Sequence, residues 1–446
     1  MFVQPDQFES ALEKAVAALR SSLAVCKAEG WGDGDHNPLV PFRPFTTKDI
    51  FAQIERYPDG VPLKNALLVW AACLIIERVT WTDRKQCEIA RGAATRVVSG
   101  SGDRICSVSS LVSELIASRD SGARSAIARE LTLASEDASD SAIQWALRRH
   151  AAARELGIPS LEWLESPLRG MKLEEAAGFV LDATGDVALG SYGSSGGFEN
   201  AIWLGTAADA CEGWPAVLSL RWFQDLFGGW KTLASVRVEL GSICRPLCGA
   251  SFARALARFG AAVFLGCARR TGAPFSIVDR PFDIGSSSYG ALFASLLCSI
   301  PFLKRRLGLG AVSATAQARL LARSLLVSLR LCAVQASVAS ACSREALVGM
   351  HVSRTESALF ASVPAETAGV LPRYTPLAGV RLCGSLRAAA LQNELVDRFD
   401  EDWFDNPRAH EYLLSIDVSD RVLLDDSAVG VGVTAMQKYF SALLLR

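Results

Sequence analysis

The chain has 446 residues, and half of them are apolar. Single hydrophobic cores seldom exceed about 250–300 residues, so this length predicts two lobes. The 46 basic and 47 acidic residues give a net charge of −1, which offers no electrostatic attraction to nucleic acid or to an anionic membrane surface. We therefore expect no nucleic-acid partner.

Helical periodicity dominates the first half of the chain. Apolar spacing and end signals predict these helices: Phe8–Cys26, one opening at Thr46, Pro62–Arg78, Asp83–Val97, Val108–Ser118, Ala123–Leu133, Asp137–Leu156, Glu162–Leu164 and Lys172–Ala183. The stretch Gly185–Glu199 then breaks the pattern with Gly and Ser residues. Its glycines, among them Gly190, Gly193, Gly196 and Gly197, predict a flexible loop or hinge.

The second half has the same helical character. The predicted helices are Trp222–Leu233, Ser251–Arg270, Ser288–Leu307, Thr315–Arg344, Ser385–Phe399 and Asp405–Ile416. Val236–Leu240 is the best strand candidate, and the Gly/Val alternation at Val429–Val433 predicts a loop or an edge strand. The fold class we predict is all-α or nearly so, with two helical lobes (1–213 and 214–446) and at most a small β element.

Two apolar stretches bear on membrane insertion. Tyr289–Leu303 has only 15 residues, and Leu320–Cys342 carries Arg323 and Arg330. A spanning helix needs about 20 predominantly apolar residues, so we predict two buried core helices and no membrane span. The 12 cysteines form no dense disulfide framework, and the N-terminal residues do not match a secretory signal. These features predict a reducing, cytoplasmic location.

The common catalytic motifs do not fit this sequence. It has four histidines, and none lies three or four residues from another, which excludes a zinc site built on histidines of one helix. Cys244 and Cys248 supply at most half of a metal site. The Gly190–Gly197 stretch lacks the lysine of a phosphate-binding loop, and Ser195 lacks the strand–helix context of a nucleophilic serine. We expect no metal and no cofactor.

An acidic, aromatic stretch follows the helix Ser385–Phe399. Asp400, Glu401, Asp402 and Asp405 lie within six residues, but without the spacing of a calcium loop. The pattern favours a helix end followed by a new helix, with Asp405 as its N-cap and Pro407 in its first turn.

Two segments resemble a known family. Ala255–Val263 reads Ala-Leu-Ala-Arg-Phe-Gly-Ala-Ala-Val, which becomes the zinc helix of a metallopeptidase when Ala257, Arg258 and Ala261 are replaced by His, Glu and His. Arg381–Leu413 carries a Leu-Arg-Ala-Ala-Ala-Leu helix that leads into Trp-Phe-Asp-Asn-Pro. This segment resembles the C-terminal end of the thimet and oligoendopeptidase type of zinc metallopeptidase.

The resemblance implies a framework of two helical lobes around a channel for extended peptides. The family's third zinc ligand, a glutamate, would fall where this chain has Gly285, Ser286 and Ser287, with Asp283 nearby. The resemblance therefore implies a pseudo-peptidase that holds a peptide or protein partner in a groove between the lobes. The candidate lining residues are Ala257, Arg258, Ala261, Asp283, Ser286 and Tyr374.

Two other interpretations stay open. The chain could be a hydrolase with an unrecognised site, for which Asp283, His351, Tyr374 and the Gly190–Gly197 loop are candidates. It could also be a helical scaffold, as a homo-oligomer or a subunit of a larger assembly, because its 10 Trp and 20 Phe leave room for a large hydrophobic interface.

Overall fold

The structure is a computed structural model, and it describes residues 4–32, 36–58, 63–99, 102–193, 196–206, 214, 249–269, 274–416 and 424–445. Helices make up 78 % of it. The sheet in this part of the chain has two strands, β1 (Thr95–Ser99) and β2 (Gly102–Cys106), which pair antiparallel. The predicted all-α fold class with a small β element is confirmed.

Eleven α-helices precede residue 207 in the described ranges. They are α1 (Pro5–Glu29), α2 (Lys48–Glu55), α3 (Lys64–Val79), α4 (Trp81–Gly92), α5 (Val108–Ala117), α6 (Ser121–Ala134), α7 (Glu136–Glu155), α8 (Leu161–Glu165), α9 (Leu173–Ala183), α10 (Gly185–Ala188) and α11 (Phe198–Thr206). Side-chain oxygens cap several N-termini, including Thr47 on α2 and Asp120 on α6. Thr47, rather than the predicted Thr46, is therefore the residue that opens α2.

Nine further α-helices follow residue 248. They are α12 (Gly249–Arg269), α13 (Phe275–Val278), α14 (Ile284–Ser295), α15 (Ile300–Leu307), α16 (Ala311–Ala339), α17 (Arg344–Leu359), α18 (Ala378–Phe399), α19 (Pro407–Ser415) and α20 (Asp426–Leu444). The predicted helix Trp222–Leu233 and strand Val236–Leu240 lie outside the described residues.

The C-terminal prediction was wrong, because Val429–Val433 lies inside α20 and not in a loop or strand. Asp425 caps this helix by accepting a hydrogen bond from the amide of Ala428 at 2.8 Å. Gly432 faces the carbonyl oxygen of Leu386, where a Cβ would come within 2.8 Å. Gly432 belongs to a Gly/Val alternation that is typical of a strand, but here it permits close contact between α20 and α18.

The predicted helix Asp83–Val97 is too long. The helix α4 ends at Gly92, and the chain enters β1 at Thr95, where β-branched residues favour an extended backbone. The hairpin pairs Thr95 with Cys106 and Val97 with Arg104. The apolar residues at the start of the hairpin fit both the helical period and the strand period. The sequence pattern alone therefore predicts that the helix continues there.

Three other predicted boundaries differ from the observed ones. The predicted helix Thr315–Arg344 runs past the end of α16 at Ala339, and its last residue is the first of α17, which the Ser343 side chain caps. The predicted helix Ser288–Leu307 bends by 79° between α14 and α15, where Ser299 caps α15. The observed N-cap of α19 is Asn406 and not the predicted Asp405. The carboxylate of Asp405 instead accepts a hydrogen bond from Arg306 Nε at 2.7 Å.

Buried side chains form two hydrophobic clusters. The smaller one combines α1, α2 and α3 with α8 and the C-terminal end of α7. The larger one runs from Cys87 to Phe440 and draws residues from both sides of the predicted lobe boundary at 213/214. Because 207–213 and 215–248 lie outside the described residues, the boundary itself stays a prediction.

Among the described residues, α16 is the one helix that is long and apolar enough by itself to cross a membrane. If two bent helix pairs are each counted as a single span, the number of candidate spans rises to three. Of the candidate window in α16, 67 % is buried inside the protein. Its buried Arg330 donates to the carbonyl oxygens of Ala358 at 3.0 Å and Leu181 at 2.6 Å, so it satisfies C-terminal carbonyls of α17 and α9. In this structure α16 is a core helix.

Candidate functional site

A cavity of about 820 Å³ opens between five helices of the second half of the chain. Its walls come from α12, α14, α16, α18 and α20, with Arg20 of α1 at its edge. Ligand pockets in proteins commonly measure ~300–1,000 Å³, so this volume fits a small molecule or a short peptide segment.

Glycines bring two walls of the cavity together. On α12, Gly260 lies directly against the carbonyl oxygen of Tyr289 on α14. On α14, Gly290 lies against the carbonyl oxygen of Ala257, where a Cβ would come within 3.0 Å. Because neither helix has a side chain at its contact point, the two backbones pack closely and their alanine side chains face the cavity.

The N-terminus of α14 is fixed by Asp283. Its carboxylate accepts hydrogen bonds from the amide of Gly285 at 2.8 Å and from the Ser286 hydroxyl at 3.0 Å. A carboxylate in this position satisfies orphan amides and complements the helix dipole. Asp283 therefore positions the end of α14 that borders the cavity.

The structure brings five of the six predicted lining residues to this one cavity. Ala257, Arg258 and Ala261 lie on its α12 wall, and Asp283 and Ser286 lie on its α14 wall. The positions that the metallopeptidase resemblance aligns with zinc ligands, 257–261 on α12 and 283–286 on α14, are thus neighbours in space. Their antiparallel packing follows from the paired contacts of Ala257 with Gly290 and of Phe264 with Gly285.

Tyr374 lies elsewhere, and its predicted place in the groove does not hold for the described cavity. It is 4 % exposed, and its ring meets Trp145 edge-on with the ring centroids 5.2 Å apart. Burial raises the pKa of its phenol, against the opposing charge of Arg149. The sequence around Tyr374 carries no signal for this long-range contact with α7.

The glycine-rich stretch is partly helical. Gly190 and Gly193 lie in the helical turn Leu189–Gly193, and the hydroxyl of Tyr192 in this turn donates to the carbonyl of Ala358 at 2.9 Å. Gly196 has a φ of 96° and, with Gly197, precedes α11. Residues 194 and 195 lie outside the described part, so the role of this segment as a flap stays a prediction.

The described lining of the cavity is rich in arginine. It contains five arginines against two aspartates: Arg20, Arg254, Arg258, Arg280, Arg381, Asp279 and Asp283. Arg20 holds Asp279 with both terminal nitrogens, at 2.5 and 2.7 Å, and this hydrogen bonding raises the pKa of Arg20. Burial lowers the pKa of Arg280, and the charge of Asp283 acts against that shift.

Sequence reasoning missed the walls contributed by α16, α18 and α20. They supply apolar side chains, including Leu329, Val380 and Phe440, together with the polar groups of Gln335 and Gln392. The Gln392 Oε1 atom is buried and has no hydrogen-bond partner among the described residues. Periodicity placed Leu329, Gln335 and Gln392 on predicted helices, but it does not show which helix faces another across a space.

No group of three or more His, Cys, Asp or Glu residues in the described ranges is arranged to hold a metal ion. The predicted half-site at Cys244 and Cys248 lies outside those ranges. His351 is buried, its Nε2 lies 3.1 Å from the Thr367 hydroxyl oxygen, and burial lowers its pKa to about 4. It therefore belongs to the core and does not line the cavity.

A scan against protein-family models and a search of curated proteins found no match to this chain.

Proposed function

We propose that this protein binds a peptide, without hydrolysing it, in the cavity between α12, α14, α16, α18 and α20. The observation that carries the proposal is the convergence of Ala257, Arg258, Ala261, Asp283 and Ser286 on one cavity of about 820 Å³. Those residues were selected from the sequence by a peptidase resemblance, independently of the structure.

The mixed chemistry of the walls supports a peptide over a purely apolar ligand. Each peptide unit carries a donor and an acceptor, and both need partners when they leave water. Polar side chains lie on three walls of the cavity: Ser286, Ser287 and Ser295 on α14, Ser328 and Gln335 on α16, Ser385 and Gln392 on α18. Among them, the buried Oε1 atom of Gln392 has no hydrogen-bond partner in the described part of the chain. A peptide N–H can donate to this oxygen, whereas an acyl chain cannot.

The side chains at the positions aligned with a zinc helix do not supply the chemistry of hydrolysis. Zinc peptidases need two imidazoles to hold the metal and a carboxylate to activate water. Ala257 and Ala261 provide no ligand atom, and Arg258 is a cation that cannot act as a general base. We therefore propose that the chain has a peptide-binding channel like that of the zinc metallopeptidases and does not catalyse their reaction.

The test uses a pool of N-acetylated hexapeptides composed of Ala, Val, Leu, Phe and Ser, half with a free carboxyl end and half amidated. Peptides retained by the full-length protein are identified by mass spectrometry. In the variant Ala291→Trp an indole enters the cavity, and we expect retention to fall at least about tenfold, as for the loss of ~1.4 kcal/mol of binding energy.

The matched control is Ala316→Trp, which places the same side chain at an exposed position of α16 that does not line the cavity. We expect it to retain peptides like the unaltered protein. Retention of no peptide by the unaltered protein, or equal loss in both variants, would refute the proposal.

A further inference from the structure

The cavity has more positive than negative charge in its described lining. Five arginines face two aspartates, so an excess of three positive charges remains even when both carboxylates are fully counted. No lysine, histidine or glutamate joins this lining. A ligand that carries a negative charge complements this excess.

The arginines come from different walls. Arg254 and Arg258 stand one helical turn apart on α12, and residues at this spacing share a face. Arg381 lies on α18, while Arg280 lies in the connection that leads to α14. Both aspartates already have partners: Asp279 binds Arg20, and Asp283 caps α14.

Partial burial makes an added anion more favourable. Burial destabilises the charged form of a guanidinium, and it lowers the pKa of Arg280 in spite of the opposing charge of Asp283. A carboxylate brought close to it would offset the lost hydration. Guanidinium groups also match carboxylates in shape, since two parallel N–H groups can donate to both oxygens.

We infer that the peptide held in this cavity carries a carboxylate, which the arginines of α12 and α18 bind. This inference rests on the proposed function, because it names the chemical class of the same ligand. The carboxylate belongs either to the C-terminus of the peptide or to an acidic side chain, and the experiment separates these two sources.

The experiment compares four pools of N-acetylated hexapeptides that share the residues Ala, Val, Leu, Phe and Ser. The first pool is amidated and neutral, the second has a free carboxyl end, the third is amidated with one Glu, and the fourth is amidated with one Gln. We expect the second or third pool to be retained about tenfold better than its neutral counterpart, since hydrogen bonds to a charged group are stronger than those between neutral groups.

Each outcome decides the inference. Preference for the second pool identifies the C-terminal carboxylate, and preference for the third identifies an acidic side chain; either result supports the inference. Equal retention of all four pools overturns it and leaves the proposed function standing. Retention of none overturns the proposed function itself.

Variants connect the preference to named residues. Arg254→Gln and Arg381→Gln each remove one charge at the cavity, and we expect each to reduce the preference for the carboxylate several-fold at an unchanged melting temperature. Arg408→Gln, at an exposed position outside the cavity, is the control and should leave the preference intact. A preference that persists in both cavity variants would overturn the assignment to these arginines.

Discussion

Gly260 on α12 lies so close to the carbonyl oxygen of Tyr289 on α14 that a Cβ at position 260 would overlap it. This contact fixes the distance between the two helices that carry the predicted lining residues. A comparable contact joins Gly290 to the carbonyl oxygen of Ala257. The shape of the cavity therefore depends on two glycines that contribute no chemistry of their own.

We predict that Gly260→Ala lowers the free energy of unfolding by about 1–3 kcal/mol, the usual cost of overpacking. The added methyl group must push α12 from α14, so peptide retention should fall as well. Urea unfolding measures the first effect. The control is Gly349→Ala, on the exposed face of α17 with no atom near the new Cβ, where we expect a gain of up to ~1 kcal/mol from helix propensity. Equal effects at the two positions would contradict the packing argument.

A buried ion cluster joins the two hydrophobic clusters. Arg149 on α7 binds Glu165 on α8 and reaches Glu77 on α3 at 3.3 Å, and its side chain is only 5 % exposed. Arg149→Met leaves the carboxylate of Glu165 buried without this ion pair, while Glu77 keeps its ion pair with Arg84. We predict a loss of ~3–5 kcal/mol of unfolding free energy.

The control for the buried cluster is Arg344→Met. Its ion pair with Asp140 is 55 % exposed on both sides, so its loss should cost less than about 1 kcal/mol. Chemical unfolding of both variants at one pH measures the difference. Similar losses for Arg149→Met and Arg344→Met would show that burial does not govern the strength of these pairs.

Acid should destabilise the protein through His351. Burial lowers its pKa in the folded state to about 4, below the value of 6.5 for an unperturbed histidine. Between these two values the unfolded chain binds a proton that the folded protein rejects, so stability falls as the pH decreases from about 6.5 towards 4. The expected loss between pH 7 and pH 5 is about 2 kcal/mol.

The variant His351→Gln isolates this effect, because glutamine keeps a polar group near the Thr367 hydroxyl and does not titrate. Urea unfolding at pH 5, 6 and 7 should give a steeper fall in stability for the unaltered protein than for the variant. Parallel pH profiles would mean that His351 does not carry the acid sensitivity.

The metallopeptidase resemblance predicts that a zinc site can be restored. The quadruple variant Ala257→His, Arg258→Glu, Ala261→His and Ser286→Glu supplies two imidazoles on one face of α12 and a carboxylate on the adjacent α14. We expect it to bind one zinc ion, as measured by titration with a zinc indicator. The same variant with Ala257→Asn in place of Ala257→His is the control and should bind far more weakly. A folded quadruple variant without zinc binding would argue against the alignment.

The helices could be predicted because their signals are local. Apolar spacing and capping residues identify α7 and α12 within one or two residues of their observed ends. Local signals fail where tertiary contact decides the conformation. The alternation around Gly432 is typical of a strand, but in the structure Gly432 lies in a helix and packs against Leu386. This contact between distant segments is not visible in the local sequence.

The site could be predicted only in part. The α12 and α14 residues were chosen because the resemblance aligns both stretches with zinc-ligand positions of one site. The lining from α16 and α18 was missed, since periodicity does not show that Leu329 and Gln392 face the same space. Tyr374 does not line this cavity, and periodicity gives no sign of its contact with Trp145, which joins residues more than 200 positions apart.

The most direct test of the account is a photo-cross-link. A hexapeptide pool with a free carboxyl end and one benzophenone side chain is irradiated with the full-length protein, and the labelled residues are identified by mass spectrometry. We predict labels on the cavity faces of α12, α14 and α18, and their loss in Ala291→Trp. Labels confined to residues outside the cavity, or labels that persist in that variant, would contradict the claim that this cavity is the binding site.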